Sequence, residues 1–479
     1  MATALPVVAA TYVLAFVGCV AARFTFAFEL SWLESGMQAM TDRLVTHQSI
    51  YVEPSPAYVP FIYPPLYYVV AHALDLALPA LQRFMSMRLV SLLATLATAA
   101  TVFLTLRQRS SLSSRHRLLL TALFVAFFGR FEFWYDTSRV DSLFVALLFA
   151  ATALLFEGDG APSALAAGCL GGLAVLTKQP AAPLFAGALV MCALRRPRRA
   201  LFATTAGVLS LAGGLAVIGD LGNPWLYYYV LRVPTTHPLL PRTLGTSLIF
   251  ALAVFPSFVL AAAFQLRRPP VNPRSPAGVW PATFAIWIVM VFLLRLKQGA
   301  SFNFFLPLVP VGLIVLANVL ENWAGRGELF LLVQFLILAY NPLAAIPTAP
   351  DWRAGYELLD ELDHIPGPIF LPQFPSYLTM LGRPPVAHGI AVCDLAKLRP
   401  DLMRTIRAQM LDGHFTAAVP WRSEDSADRD GKGCRPSDLP GPFRFVENIP
   451  SGGDFFAVGH GSKLGGIYRL NTGSWRSPQ

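Results

Sequence analysis

The sequence predicts a polytopic α-helical membrane protein of about eleven spans, with a long first outer loop of interfacial helices and a small C-terminal α/β domain. Three observations carry that prediction. Of the 479 residues, 55% are apolar and only 14% charged, with a mean hydropathy of +0.53, whereas a soluble chain carries roughly 25% charge. The charge is unevenly spread: residues 1–349 hold 23 basic and 13 acidic side chains, and residues 350–479 hold 14 and 15. The basic residues of the first part also gather into short runs between apolar stretches, as loops of a membrane protein do.

Taken in order, the stretches able to cross a bilayer, at about 20 residues each, run over 5–24, 87–106, 117–135, 142–156, 164–177, 181–194, 200–219, 246–265, 279–295, 301–320 and 328–347, the fifth and sixth being short. Phe16-Val17-Gly18-Cys19 resembles a lipoprotein cleavage box, but no basic region precedes it, so it belongs to the first span. Three arginine clusters orient the spans: Arg107, Arg109, Arg115 and Arg117; Arg195, Arg196, Arg198 and Arg199; Arg267, Arg268 and Arg274. All three fall in the cytoplasm only if the apolar stretch 58–80 does not cross. Its Tyr58-Val-Pro60-Phe-Ile-Tyr63-Pro64-Pro65-Leu66-Tyr67-Tyr68 run, broken by prolines and rich in tyrosine, reads as a segment at headgroup level.

The expected result is a membrane domain over 1–349 with a cytoplasmic N-terminus, a first outer loop over about 25–86, and an extracytoplasmic domain over 350–479. Cys19, Cys169 and Cys192 sit among small apolar residues and read as buried packing positions. Cys393 and Cys434 of the tail are able to pair in an oxidising compartment or to remain thiols.

Nine acids of the first part, Glu29, Glu34, Asp42, Glu53, Asp75, Glu132, Asp136, Asp141 and Asp220, fall on the outer side, as do its two lysines, Lys178 and Lys297. An ionic group inside a span is unfavourable by about 2.5–3.5 kcal/mol on insertion scales. The accumulation therefore points to an outward-facing polar site.

Four constellations make up that site. Phe28-Glu29-Leu-Ser-Trp-Leu-Glu34-Ser-Gly-Met follows the first span. Its acids read either as a solvated helix start or as a general base where a headgroup meets water. Arg130-Phe-Glu132-Phe-Trp-Tyr-Asp136-Thr-Ser-Arg139-Val-Asp141 is a polar island. It is either a local ion pair or a phosphate or sugar site. Lys178, in Leu176-Thr-Lys-Gln-Pro180, is a snorkelling anchor or a fixed cation for a lipid phosphate. Arg295-Leu-Lys297, followed by Asn303, offers a second phosphate contact. The segment 220–245, with Arg232, His237 and Arg242 beside Trp225 and Tyr227-Tyr228-Tyr229, reads best as an aromatic interfacial belt and otherwise as a sugar platform.

No zinc spacing, nucleophile elbow, Walker loop or dinucleotide fingerprint occurs. No basic soluble module suggests nucleic acid. A divalent metal is left open only through carboxylates, with Glu34, Asp136 and Asp141 as candidates if they converge.

Over about residues 1–320 the order of motifs resembles the GT-C superfamily of membrane glycosyltransferases, which includes protein O-mannosyltransferases and lipid A aminoarabinose transferases. The resemblance rests on the first-loop acid, Gln48-Ser-Ile-Tyr51, Tyr63-Pro-Pro-Leu-Tyr67-Tyr68, Met87-Arg88-Leu89, Ser138-Arg139-Val-Asp141, Leu176-Thr-Lys178 and Gly299-Ala-Ser-Phe-Asn303-Phe-Phe-Leu-Pro307. Where some relatives place a basic residue just before the Pro-Pro pair, this chain has Ile62-Tyr63.

The resemblance implies a hexosyl or pentosyl transferase in a bacterial plasma membrane. Its donor is a polyprenyl-phosphate-linked sugar, and its acceptor a lipid, glycan or protein hydroxyl on the outer side. It makes Glu34 the base of an inverting displacement, with Glu29 in reserve. Lys178, Arg139, Arg88, Lys297 and Arg295 match the departing phosphate. Asp141, Asp136, Tyr63, Tyr67, His237 and Asn303 are the expected substrate contacts.

The tail predicts helices over Gly355–His364 and Leu395–Leu411, strands at Pro368-Ile-Phe-Leu371 and Thr416–Val419, and a loop over 422–436. Its role is acceptor recognition or structural capping. The competing class is a transporter or flippase of a lipid-linked sugar. A carrier would place its ionic residues near the midplane on broken helices, whereas here they collect at the outer edge. A scaffold without activity is the third reading.

Overall fold

The computed structural model describes residues 4–266, 278–321 and 327–419, with the strands 443–447 and 467–470. The chain is a helical, polytopic membrane protein. Helix α1 (Ala4–Phe24) is followed by α2 (Glu34–Val45) and α3 (Leu66–Ala77) of the first loop. Then come α4 (Met85–Arg109), α5 (Ser114–Ala126), α6 (Asp141–Glu157), α7 (Gly160–Thr177), α8 (Ala181–Ala193) and α9 (Pro197–Ile218). The short α10 (Pro224–Tyr227), a π-turn at 228–232 and α11 (Val233–Thr236) lead to α12 (Thr243–Val254), α13 (Pro256–Leu266), α14 (Val279–Arg295), α15 (Leu308–Leu320) and α16 (Gly327–Ile337).

Among the described residues five helices are long and apolar enough to cross a bilayer, or six if the bent pair 327–337 and 342–364 forms one span. Val217 of α9 is 90% exposed and Leu209 66%, an apolar face of the kind that a bilayer or another protein covers. At the other extreme, α15 is buried along nearly its whole length and forms the centre of the bundle. Helices α7 and α9 touch through small residues: a Cβ on Gly168 would lie 2.1 Å from the Ala203 carbonyl oxygen, and one on Gly172 2.4 Å from that of Gly207. Without a hydrophobic drive between helices in lipid, such close backbone approach is what holds them.

Three expected spans are interrupted, each for a local reason. The stretch 246–265 breaks between α12 and α13 at Pro256, which cannot donate to the helix ladder and crowds the carbonyl four residues back. The stretch 117–135 stays α-helical only to Ala126, then tightens to a 3-10 turn that ends where Glu132 and Phe133 take φ of 53° and 57°. The stretch 328–347 stops at Ile337 and bends by 50° into the segment 342–364, which Pro342 begins. Cys19 and Cys192 are buried as expected, but Cys169 is exposed on α7.

After Thr348 the chain alternates helices and strands: α17 (Ala349–His364), β1 (Ile369–Phe370), α18 (Pro375–Met380), α19 (Gly389–Leu395), α20 (Pro400–Leu411), β2 (Ala417–Ala418), β3 (Phe443–Glu447) and β4 (Ile467–Leu470). The strands order β1-β2-β4-β3, with β1 parallel to β2 and the other pairs antiparallel. The helix expected over 395–411 is split, because Pro400 starts a new one. The loop 422–436 and Cys434 lie outside the described residues.

Candidate active site

Where α1 and α7 end and α4 and α6 begin, residues far apart in sequence join into one buried ionic network. Segment 26–34 leaves α1 and wraps the guanidinium of Arg88, which projects from the start of α4. Arg88 gives Nε to Glu34 Oε1 (3.3 Å), Nη1 to the carbonyls of Arg23 (3.3 Å) and Phe26 (2.5 Å), and Nη2 to the carbonyl of Phe28 (2.7 Å) and to Glu34 Oε2 (2.8 Å). An arginine has five N–H donors, and these five bonds engage them all. The expectation that Arg88 meets a donor phosphate is thereby corrected: it is a structural cation.

Glu34 begins α2 and is fully buried. Its Oε2 also accepts from Leu30 N (2.7 Å) and its Oε1 from Ser138 N (2.7 Å). Burial pushes its carboxyl up, but the Arg88 charge and the bonds from Arg88, Ser138 and Leu30 outweigh that and leave it below the usual range. Glu29, five residues earlier and equally buried, goes the other way. Burial and then the Glu34 charge raise it well above the usual range, and its Oε2 makes no hydrogen bond.

Ser138 leads directly to the second half of the network. Asp141, the first residue of α6, receives Lys178 Nζ (2.7 Å) and Asn303 Nδ2 (2.8 Å) on Oδ1, and Arg139 Nε (3.3 Å) on Oδ2. Lys178 lies between α7 and α8, where Pro180 sets the start of α8. Its ammonium is 4.8 Å from the Phe304 ring centre and 5.8 Å from that of Tyr63. Burial, against the Arg139 charge, raises the Tyr63 phenol to about 12, so it stays neutral. Arg139 lies flat on Trp134, 3.6 Å from the ring centre.

A third pair, Arg23 with Asp136 at 3.3 Å, closes the cluster beneath. Burial, against the charges of Arg23 and Arg88, raises the Asp136 carboxyl. Arg23 Nε and Nη1 and Ser138 Oγ are buried without a hydrogen bond, polar capacity that the network itself leaves unmet. Arg23 is the residue that sequence reasoning missed. A lone cation at a helix end gives the same signal as a snorkelling anchor.

Other expected contacts are placed elsewhere. Lys297 donates to the Pro234 carbonyl (3.2 Å), Arg295 to Ser247 Oγ (3.3 Å), and His237 meets Asp394 of the tail at 3.2 Å. None of these three is joined to Asp141 among the described residues. Their assignment to the site is corrected: the loop after α14 brings Asn303 to Asp141 and the Phe304 ring to Lys178 instead. The Tyr67 hydroxyl contacts the Met87 carbonyl and Ser91 Oγ, packing beneath the cluster.

The carboxylates do not form a metal set. Glu34, Asp136 and Asp141 each face their own cation, and no group of three His, Cys, Asp or Glu able to hold a metal occurs among the described residues.

No family model and no characterised protein matches the chain by sequence. Its fold is nonetheless shared. The crystal structure of ArnT from Cupriavidus metallidurans bound to undecaprenyl phosphate superposes with a TM-score of 0.61 at 11% identity, covering 99% of this chain and 99% of that one. The apo structure of the same protein gives 0.61 at 11% identity, over 98% of this chain and 100% of that one. The archaeal oligosaccharyltransferase AglB from Archaeoglobus fulgidus, in complex with an inhibitory peptide and a dolichol-phosphate, is a weaker likeness, with a TM-score of 0.46 at 12% identity over 87% of this chain and 69% of that one. At such identities the likeness is one of fold: the chain shares the architecture of the ArnT structure over nearly the whole of both chains.

Proposed function

We propose that this protein is a GT-C glycosyltransferase that moves a sugar from a polyprenyl-phosphate donor to an acceptor hydroxyl at the outer face of the membrane. About eleven spans put the N-terminus in the cytoplasm and residues 350–479 outside. The observation that carries the reading is Asp141 held by Lys178, Arg139 and Asn303. This is an anion site with two cations and an amide, filled by the protein's own carboxylate, in a fold shared with a protein that binds undecaprenyl phosphate.

The donor phosphate takes the place of Asp141 on Lys178 and Arg139, whose charges then match the negative charge that grows as the glycosidic bond breaks. Asp141 is too close to those cations to serve as base as well, because an inverting attack sets the acceptor opposite the phosphate. Glu34 suits that place. It is ionised, and one of its donors is the backbone N–H of Ser138, the neighbour of Arg139. Turning Arg139 to the phosphate shifts that peptide and releases the shorter of the two bonds to Glu34 Oε1, leaving that oxygen, still beside Arg88 Nε, a lone pair to take the acceptor proton as the hydroxyl oxygen bonds the anomeric carbon and the polyprenyl phosphate leaves. The donor set offers a divalent metal no three-carboxylate site, so no step is routed through one.

The test is transfer from radiolabelled polyprenyl-phosphate sugars in proteoliposomes, comparing the native chain with Glu34→Gln and measuring undecaprenyl phosphate binding beside it. The variant should keep binding and lose turnover by at least about 100-fold. Retained turnover removes Glu34 from the chemistry. A native chain that transports the lipid-linked sugar between leaflets without transferring it is a carrier instead.

A further inference from the structure

The first loop makes a buried polar contact with the tail that the transfer chemistry leaves unused. Glu29 and Ser35 are fully buried, and Ser376, the second residue of α18, is 3% exposed. Glu29 Oε1 accepts from Ser35 Oγ and from Ser376 Oγ (3.5 Å), and the two hydroxyls lie 2.6 Å apart. The next residue, Tyr377, is also buried, with its hydroxyl against the backbone of Glu29.

Segment 26–36 is pressed on both sides. Inward, the carbonyls of Phe26 and Phe28 receive Arg88. Outward, the Phe28 ring meets Tyr377 at 5.8 Å and Trp352 at 6.4 Å. It also lies so close to Gly355 of α17 that a Cβ there would come within 2.3 Å of it. His388 meets the Trp32 carbonyl at 3.1 Å. The strand of chain that shapes the Arg88–Glu34 pair thus has the tail as its outer wall.

We infer that Glu29, Ser35 and Ser376 form an uncharged latch through which the tail positions Arg88 and Glu34, Glu29 being a positioning residue. This rests on the transferase reading of the network above. The groups facing Glu29 are Glu34 and Arg88 on the loop side and Tyr377 from α18. Arg88 is fully engaged elsewhere, so an ionised Glu29 would be a second anion beside Glu34 without a cation of its own. Burial and the Glu34 charge accordingly hold its proton on. Oε1 of the protonated carboxyl then accepts from both serine hydroxyls without any charge being buried, and hydrogen bonds in so water-poor a setting are strong enough to hold segment 26–36 against the tail.

The experiment uses the full chain in detergent micelles. Amide hydrogen exchange over residues 26–36 is the readout independent of transfer, and kcat is measured alongside. Glu29→Ala and Ser376→Ala should speed exchange in that segment about tenfold and lower kcat by a similar factor, while Glu29→Gln rescues both. In alkaline buffer the native segment should lose protection and the Glu29→Gln variant should keep it. Unchanged exchange in Ser376→Ala overturns the latch, as does a Glu29→Gln variant with native protection and no turnover, which would place Glu29 in the chemistry. If exchange behaves as stated and even the native chain transfers no sugar, the latch stands and the transferase reading falls.

Discussion

Lys178 and Asp141 offer the sharpest quantitative test. They are 2.7 Å apart with side chains 4% and 2% exposed. At an effective dielectric of 20 their attraction is about 6 kcal/mol, most of it offset by desolvation. In Lys178→Met, Asp141 keeps Arg139 at 3.3 Å and Asn303 at 2.8 Å. The loss in stability should therefore be about 2–3 kcal/mol, below the 3–5 kcal/mol of a buried pair left with one unpaired charge. Asp141→Asn takes the carboxylate from both Lys178 and Arg139, leaving the ammonium to the faces of Phe304, Tyr63 and Phe144, and should cost about 3–5 kcal/mol. The double variant removes both charges together, so it should be more stable than the sum of the singles by about 2 kcal/mol. Denaturant unfolding in mixed micelles measures the cycle. Transfer assays on the same proteins should show Lys178→Met reduced about 100- to 1,000-fold and the double variant no better, since stability returns without the cation. Additive stabilities, within about 0.5 kcal/mol, would refute the pair; an unchanged kcat in Lys178→Met would refute its phosphate role.

Other changes should act as locally. Arg88→Lys cannot reach three carbonyls and Glu34 at once and should destabilise by about 3–5 kcal/mol, read as a lowered unfolding midpoint. Gly168→Ala drives a Cβ to 2.1 Å from backbone on α9 and should cost about 1–3 kcal/mol. Gly213→Ala has nothing within 4 Å and should be neutral or stabilising by up to about 1 kcal/mol. His388 accepts from Ile390 N at the start of α19, and burial lowers its pKa to about 4 despite the Trp32 carbonyl. An imidazole held neutral in the fold but free to protonate when unfolded gives stability that is complete above its ordinary 6.5 and declines as pH falls towards 4, by about 3 kcal/mol in all. Limited proteolysis across that window should release the tail, and His388→Gln should flatten the dependence.

Much of the site was legible because an ionic residue beside an apolar span is unfavourable wherever the chain goes, so Glu34, Asp136, Arg139, Asp141 and Lys178 stand out in the sequence alone. The breaks at Pro256 and Pro400 carry a similarly local signal, a missing N–H, although hydropathy by itself hid both. Partnership has no such signal. Lys178 and Lys297 are the two lysines of the membrane part and both flank spans, yet one meets Asp141 and the other the Pro234 carbonyl. Arg88 looks like a candidate phosphate ligand until three carbonyls of segment 23–28 are seen to close around it. Ser376 is one serine among many until it meets Ser35, 341 residues away. The amino-acid order by itself determined the membrane character and the gathering of charge at helix ends, because transfer free energy accrues residue by residue. Only the packed bundle decided which charges neutralise each other. That choice depends on which helix ends come within about 3 Å, and close contacts such as Gly168 against Ala203, rather than any property of the charged residues, help to set it.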